Sequence, residues 1–173
     1  MNKKARILIL SLLGAALIYL GADLSRKFYY KVQGDEIIKE IPDLDLKTLE
    51  GGNFNLQNLP KDKNSLVVYY NSECSHCVYE LETLRDNSAL FGNHNIVFVS
   101  IEDSRLTKKF LEKMKVDNSH GFTFLSDTNW EFPLLFDIEA TPTLFFYDKN
   151  QKLVLENKGS LPYDVILAQL TKN

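Results

Sequence analysis

Apolar residues fall along this chain in three kinds of pattern. The first is an uninterrupted run over residues 7–22, ILILSLLGAALIYLGA, which is apolar on every face of a helix. The second is short, dense and rich in β-branched and aromatic residues: SLVVYYN over 65–71, NIVFVSI over 95–101 and TLFFY over 143–147. Runs of that length and composition suit strands covered on both sheet faces. The third recurs at helical spacing. Val78, Leu81 and Leu84, with the stem of Arg85, form one stripe; Leu106, Phe110 and Met114 form another; Val165, Ile166 and Leu170 form the last. Asp103 or Ser104 is the expected N-cap of the second helix. Ser160 is the expected cap of the last, with Pro162 in its first turn.

Residues 41–59, IPDLDLKTLEGGNFNLQNL, hold two short alternating runs around Gly51-Gly52 and predict a β-hairpin. Residues 121–125 predict a short strand or extended segment. The runs 143–147 and 152–155 flank the turn-forming stretch DKNQ and predict a second hairpin. The predicted order is hairpin, strand, helix, strand, helix, extended segment, hairpin, helix. It implies an α/β domain over residues 41–173, with a central mixed sheet flanked by helices and a β-hairpin prelude. In such sheets the chemistry sits at the C-terminal end of a central strand, here the first one.

Charge adds a direction to this plan. The formal net charge is −3, and Lys3, Lys4 and Arg6 precede the apolar run while every acidic residue follows it. No Lys/Arg-rich patch marks the remainder, which argues against nucleic acid as a partner. A basic start followed by an apolar run fits a signal peptide or an uncleaved signal anchor in residues 1–22. As a helix the run would be roughly 24 Å long, slightly short of a bilayer core. Leu20-Gly21-Ala22 is a poor cleavage site, because Leu20 is not small. The expectation is a single-pass membrane protein, with residues 23–40 as a polar linker and the domain on the periplasmic or extracellular side; secretion after cleavage is the alternative. Disulfides persist in those compartments.

Both cysteines lie in NSECSHCVYE, residues 71–80. Because the helical stripe starts immediately afterwards, Cys74 is expected at a helix N-terminus, where unpaired N–H groups and the helix dipole favour a thiolate. Cys77, one turn on, can close a disulfide or resolve a mixed one. His76 as an imidazolium would favour the thiolate, and Glu73 as a carboxylate would oppose it. Glu80 falls on the face of Cys77, where it could carry a proton or simply be solvated. Thr141-Pro142 opens an apolar strand, a position at which proline calls for a reason. A cis bond there would leave the Thr141 backbone free to pair with an extended peptide; an ordinary trans proline on an edge strand is the plainer reading.

Taken together, a cis-proline candidate downstream of a CxxC that caps a helix, in this element order, resembles the thioredoxin fold over residues 41–173. The prelude, the export signal and the C-x-x-C-x-x-E pattern from Cys74 to Glu80 resemble the TlpA/ResA-like branch of membrane-tethered thiol-disulfide oxidoreductases. That resemblance implies a nucleophilic Cys74, a resolving Cys77, an assisting Glu80 and Thr141-Pro142 as the substrate-docking loop. It implies exported cysteine-containing proteins as substrates, apocytochrome c among them in cytochrome c maturation. A transmembrane thiol-electron carrier of the DsbD/CcdA kind would be the redox partner, with no metal and no cofactor beyond the cysteine pair. The chain departs from the pattern at three places. Glu73 replaces an aromatic residue before the first cysteine, Val68 stands near the place of a buried acid, and Ser75-His76 replaces a proline-containing pair.

Three rival readings use the same residues. Cys74, His76 and Cys77 are soft ligands for copper(I) or zinc, but a structural zinc site usually needs four ligands, and His94 and His120 could add to them only if the fold brought them near. A peroxidase would carry Pro-x-x-x-Thr-x-x-Cys, and Val67 and Asn71 occupy the proline and threonine places. A thioredoxin-like scaffold with an idle disulfide is the third, because fold alone does not establish activity. Trp130 and the tyrosines read as core and surface aromatics.

Overall fold

A computed structural model describes residues 10–22, 24–25 and 39–172 of the chain. Residues 10–22, the larger part of the apolar run, are helical, and among the described residues no helix is long and apolar enough to cross a membrane. The basic start and most of the expected linker lie outside the described residues. The chain divides into two units, Met1–Glu36 and Ile37–Asn173. The second begins ahead of residue 41 because the chain is already paired there. The Lys39 carbonyl accepts the Leu153 N–H at 2.7 Å, and Glu40 bridges to Lys152.

The second unit is built on seven strands: β1 (Asp45–Thr48), β2 (Asn53–Asn55), β3 (Ser65–Tyr69), β4 (Asn95–Ser100), β5 (Phe122–Ser126), β6 (Thr143–Tyr147) and β7 (Leu153–Lys158). They form one mixed sheet in the order β2-β1-β5-β4-β3-β6-β7. β3, β4 and β5 run parallel, while β1 and β2 on one side and β6 and β7 on the other are antiparallel. The predicted prelude hairpin is present, and Leu46 pairs with Phe54 across the Gly51-Gly52 turn. Gly51 takes a φ of +89°, a conformation that L side chains rarely adopt.

Every residue of β3 and of β6 is buried, which explains their unbroken apolar sequence. Leu66, Val68 and Tyr70 point to one face, where they meet α1 (Ser75–Asp86), α2 (Ser104–Met114) and α4 (Tyr163–Thr171). Val67 and Tyr69 point to the other and meet Leu46, Leu56, Phe132 and Phe136. Each fully buried side chain of this size contributes about 1.5–3 kcal/mol relative to exposure. A short helix, α3 (Glu131–Leu135), supplies Phe132 and was not expected from the sequence. The buried Asp127 carboxylate caps it, accepting from the N–H groups of Glu131 (3.2 Å) and Phe132 (2.7 Å).

Three sequence expectations shift. In α2 the buried residues are Thr107, Phe110, Leu111 and Met114, and Leu106 is exposed. The stripe is thus i, i+3, i+4, i+7 from Thr107, and Leu106 lies about 100° away from its start. Asp103 is the cap, accepting from Arg105 and Leu106 N–H groups. In α4 the N-cap is Pro162 rather than Ser160, and the intervening Leu161 N–H donates to the Glu80 carboxylate. Ile166 and Leu170 are buried as expected, whereas Val165 remains partly exposed.

Candidate active site

β3 carries the chain to the C-terminal end of the parallel strands, and residues 70–74 turn it into α1. Tyr70 still donates its N–H to the Val99 carbonyl at 3.0 Å, and Cys74 N–H then reaches back to the Asn71 carbonyl at 3.2 Å. The Asn71 side-chain oxygen accepts the Glu73 N–H at 2.8 Å. This short loop sets Cys74 as the N-cap of α1, in extended backbone conformation and with no side-chain capping bond. Its thiol is therefore not engaged as a cap, and it donates to the Thr141 carbonyl at 3.4 Å.

Thr141-Pro142 is a cis peptide bond, not the trans proline that its strand-opening position alone favours. Two hydrogen bonds fix the loop: Thr143 Oγ1 donates to the Ala140 carbonyl at 2.7 Å, and Gly159 N–H donates to the Pro142 carbonyl at 2.7 Å. The fold thus brings Cys74 and Thr141 together from positions 67 residues apart.

The two thiols are free and unequal. Cys74 is partly exposed and Cys77 is buried. Burial disfavours the Cys74 thiolate, but hydrogen bonds from the side chains of Cys77 and Thr141 and from the backbone N–H groups of Cys77 and His76 outweigh it. The net effect lowers the Cys74 pKa below that of an ordinary thiol. Burial pushes Cys77 up to about 12, against a hydrogen bond from the Asn71 backbone. Glu80 has no exposed surface; burial raises its pKa to about 7, against a 2.9 Å hydrogen bond from Leu161 N–H to Oε2. Its Oε1 is buried with no hydrogen-bond partner among the described residues.

The other singled-out residues divide. The side chains of Glu73 and His76 are exposed and form no hydrogen bond or ion pair among the described residues, so His76 reaches Cys74 through its amide rather than its ring. His94 and His120 line a cleft with Phe54 and Phe122, at the opposite end of β4 from the cysteines. Among the described residues no group of three or more His, Cys, Asp or Glu side chains could hold a metal ion. Two contributors escaped the sequence reading. Asn71 and Glu102 both hold the turn before Cys74, and only their placement two residues beyond the ends of β3 and β4 hints at it.

Several known proteins are similar to this chain in sequence or in fold. Thiol-disulfide oxidoreductase ResA of Bacillus cereus is 24% identical over 157 residues, covering 89% of this chain and 86% of that protein. Among solved structures, DsbF of Mycobacterium tuberculosis superposes with a TM-score of 0.65 at 22% identity, over 75% of this chain and 93% of that one. The peroxidoxin BcpB of Mycobacterium tuberculosis shares the fold equally well, with a TM-score of 0.66 at 20% identity over 78% and 96% of the two chains. The AhpC/TSA family model matches residues 37–155, from the pairing that precedes β1 into β7 and across the whole CxxC and cis-proline site. On that match, with its mixed sheet and paired thiols, the chain belongs to the AhpC/TSA family and is of the thioredoxin-like, TlpA/ResA type.

Proposed function

We propose that this protein exchanges disulfides in exported proteins outside the cytoplasm, using Cys74 and Cys77 as its redox pair and no other cofactor. The observation that carries this reading is the asymmetry of the pair. An accessible thiol of lowered pKa lies against the cis-proline loop, and a buried thiol of raised pKa follows one turn on, ahead of a buried carboxyl group. In the reducing direction, Cys74 thiolate attacks one sulfur of a substrate disulfide docked against Thr141-Pro142. A mixed disulfide forms and the other substrate sulfur leaves as a thiolate. Cys77 then loses its proton, with Glu80 as acceptor, and attacks the Cys74 sulfur. The products are the Cys74–Cys77 disulfide and the second substrate thiolate. In the oxidising direction the same steps run backwards.

The basic start and apolar run of residues 1–22 support a membrane anchor. A transmembrane thiol carrier of the DsbD/CcdA kind would then restore the dithiol, and apocytochrome c is one candidate substrate. A peroxidase reading finds less support, since Val67 and Asn71 replace the residues its nucleophile motif requires.

The deciding experiment is equilibration of the protein with glutathione or dithiothreitol buffers. A reversible couple near or below roughly −270 mV marks a reductase, and one near roughly −120 mV marks a disulfide donor. Alongside, Cys74→Ser is expected to abolish turnover and Cys77→Ser to accumulate mixed disulfides on non-reducing gels. Full turnover by Cys77→Ser, or the lack of any reversible couple, would sink the two-cysteine mechanism.

A further inference from the structure

A second carboxylate lies under the active-site turn and takes no part in the steps above. Glu102 follows β4, beside the strand that delivers the cysteines. Its Oε1 accepts two hydrogen bonds from one residue of the CxxC loop, the Ser72 N–H at 2.9 Å and the Ser72 Oγ–H at 2.8 Å. Its own backbone is pinned as well. Glu102 N–H donates to Ser100 Oγ at 3.2 Å, and the Glu102 carbonyl accepts from Ser126 Oγ at the end of β5. Through its backbone and its carboxylate together, Glu102 thus ties the ends of two parallel strands to the loop entering from a third.

This arrangement is poor if only stability is at stake. Oε2 is buried with no hydrogen-bond partner among the described residues, and a buried unpaired carboxylate oxygen is unfavourable. What the carboxylate holds is specific. Ser72 lies between Asn71, whose carbonyl takes the Cys74 N–H and whose backbone bonds Cys77, and Glu73, whose N–H the Asn71 side chain takes. With Ser72 held at two points, the turn has little freedom. Cys74 Sγ stays within reach of the Cys77 and His76 amides that favour its thiolate.

The geometry points to Glu102 as a positioning residue: through its two hydrogen bonds to Ser72 it sets the CxxC turn so that Cys74 is held as a reactive thiolate. Glu102 touches neither cysteine in this role; it acts through Ser72. The inference rests on the oxidoreductase reading of Cys74 and Cys77.

The test is the pH profile of Cys74 alkylation by iodoacetamide in full-length protein, a readout that a loss of stability alone does not move. Wild type is expected to show an inflection below that of a free thiol. Glu102→Ala removes both hydrogen bonds and should move the inflection up, slowing alkylation at pH 6 by roughly three- to tenfold. Ser72→Ala removes only the hydroxyl bond and should shift it in the same direction by less. Glu102→Gln keeps an acceptor oxygen without the charge and should stay close to wild type. Wild-type profiles in both alanine variants overturn the inference. So does a Gln variant as impaired as Ala, which would point to charge rather than position. If Glu102→Ala does not fold, Ser72→Ala decides alone: a shift supports the role and an unchanged profile overturns it. A wild-type profile with an ordinary thiol inflection and no reversible disulfide would instead defeat the oxidoreductase reading itself.

Discussion

Glu80 is the residue whose protonation ties stability to the proposed chemistry. Its pKa rises from 4.5 to about 7 on folding, chiefly through burial. The folded state therefore holds a proton that the unfolded state has released between those two values. Stability from this group is complete below about pH 4.5 and falls as pH rises through about 7, by up to about 3 kcal/mol. Glu80→Gln keeps an oxygen for the Leu161 N–H but cannot ionise. It is expected to match wild type in thermal unfolding near pH 4 and to melt higher at pH 8. It should also slow resolution of mixed disulfides at neutral pH, where wild-type Glu80 is partly ionised and able to accept the Cys77 proton. Equal melting temperatures at pH 8 would mean that the buried carboxyl does not resist ionisation. The sequence put Glu80 on the face of Cys77 but left its burial open. Helical period fixes the direction of a side chain along its own helix, whereas the neighbouring chain that covers it is a tertiary matter.

At the scale of elements, α3 illustrates what patterning misses. Its five residues are too few to display a helical period, and its N-cap residue Trp130 is exposed with a φ of +61°. The helix exists because Asp127 caps it and because Phe132 is wanted in the core. That ring stacks on Tyr69 and Phe136, with centroids 5.7 and 4.1 Å away, and meets the edge of Phe145 at 5.9 Å. Phe132→Ala is therefore expected to cost about 3–5 kcal/mol, read as a lower urea midpoint. Alkylation of Cys74 in the folded variant should be unchanged, because Phe132 packs on the sheet face opposite to Cys77. The dense runs behaved differently. Residues 65–71, 95–101 and 143–147 announced β3, β4 and β6 without ambiguity, because a strand covered on both faces has no exposed position to interrupt its apolar sequence.

For the whole molecule, the apolar run of residues 7–22 bears on how the domain is presented. If residues 1–22 anchor the chain, the full-length protein should stay with the membrane fraction through alkaline carbonate extraction. A membrane-impermeant maleimide should then label reduced Cys74 in intact cells. Release into the soluble fraction would favour cleavage, and labelling only after lysis would place the domain inside the cytoplasm. Within the domain, the chain by itself determined the local features: which segments are strands, where the CxxC opens a helix, and that Pro142 starts a strand. Each is written in the period or spacing of neighbouring residues. Only the tertiary structure decided what surrounds them. Cys74 meets Thr141 across 67 residues, Glu80 meets Leu161 across 81, and Ser72 meets Glu102 across 30. Those contacts set the burial and hydrogen bonding that make two identical thiols unequal, one partly exposed with a lowered pKa and one buried with a raised pKa. Burial and hydrogen bonding depend on which distant segments pack together, and no spacing within a short stretch of chain encodes that.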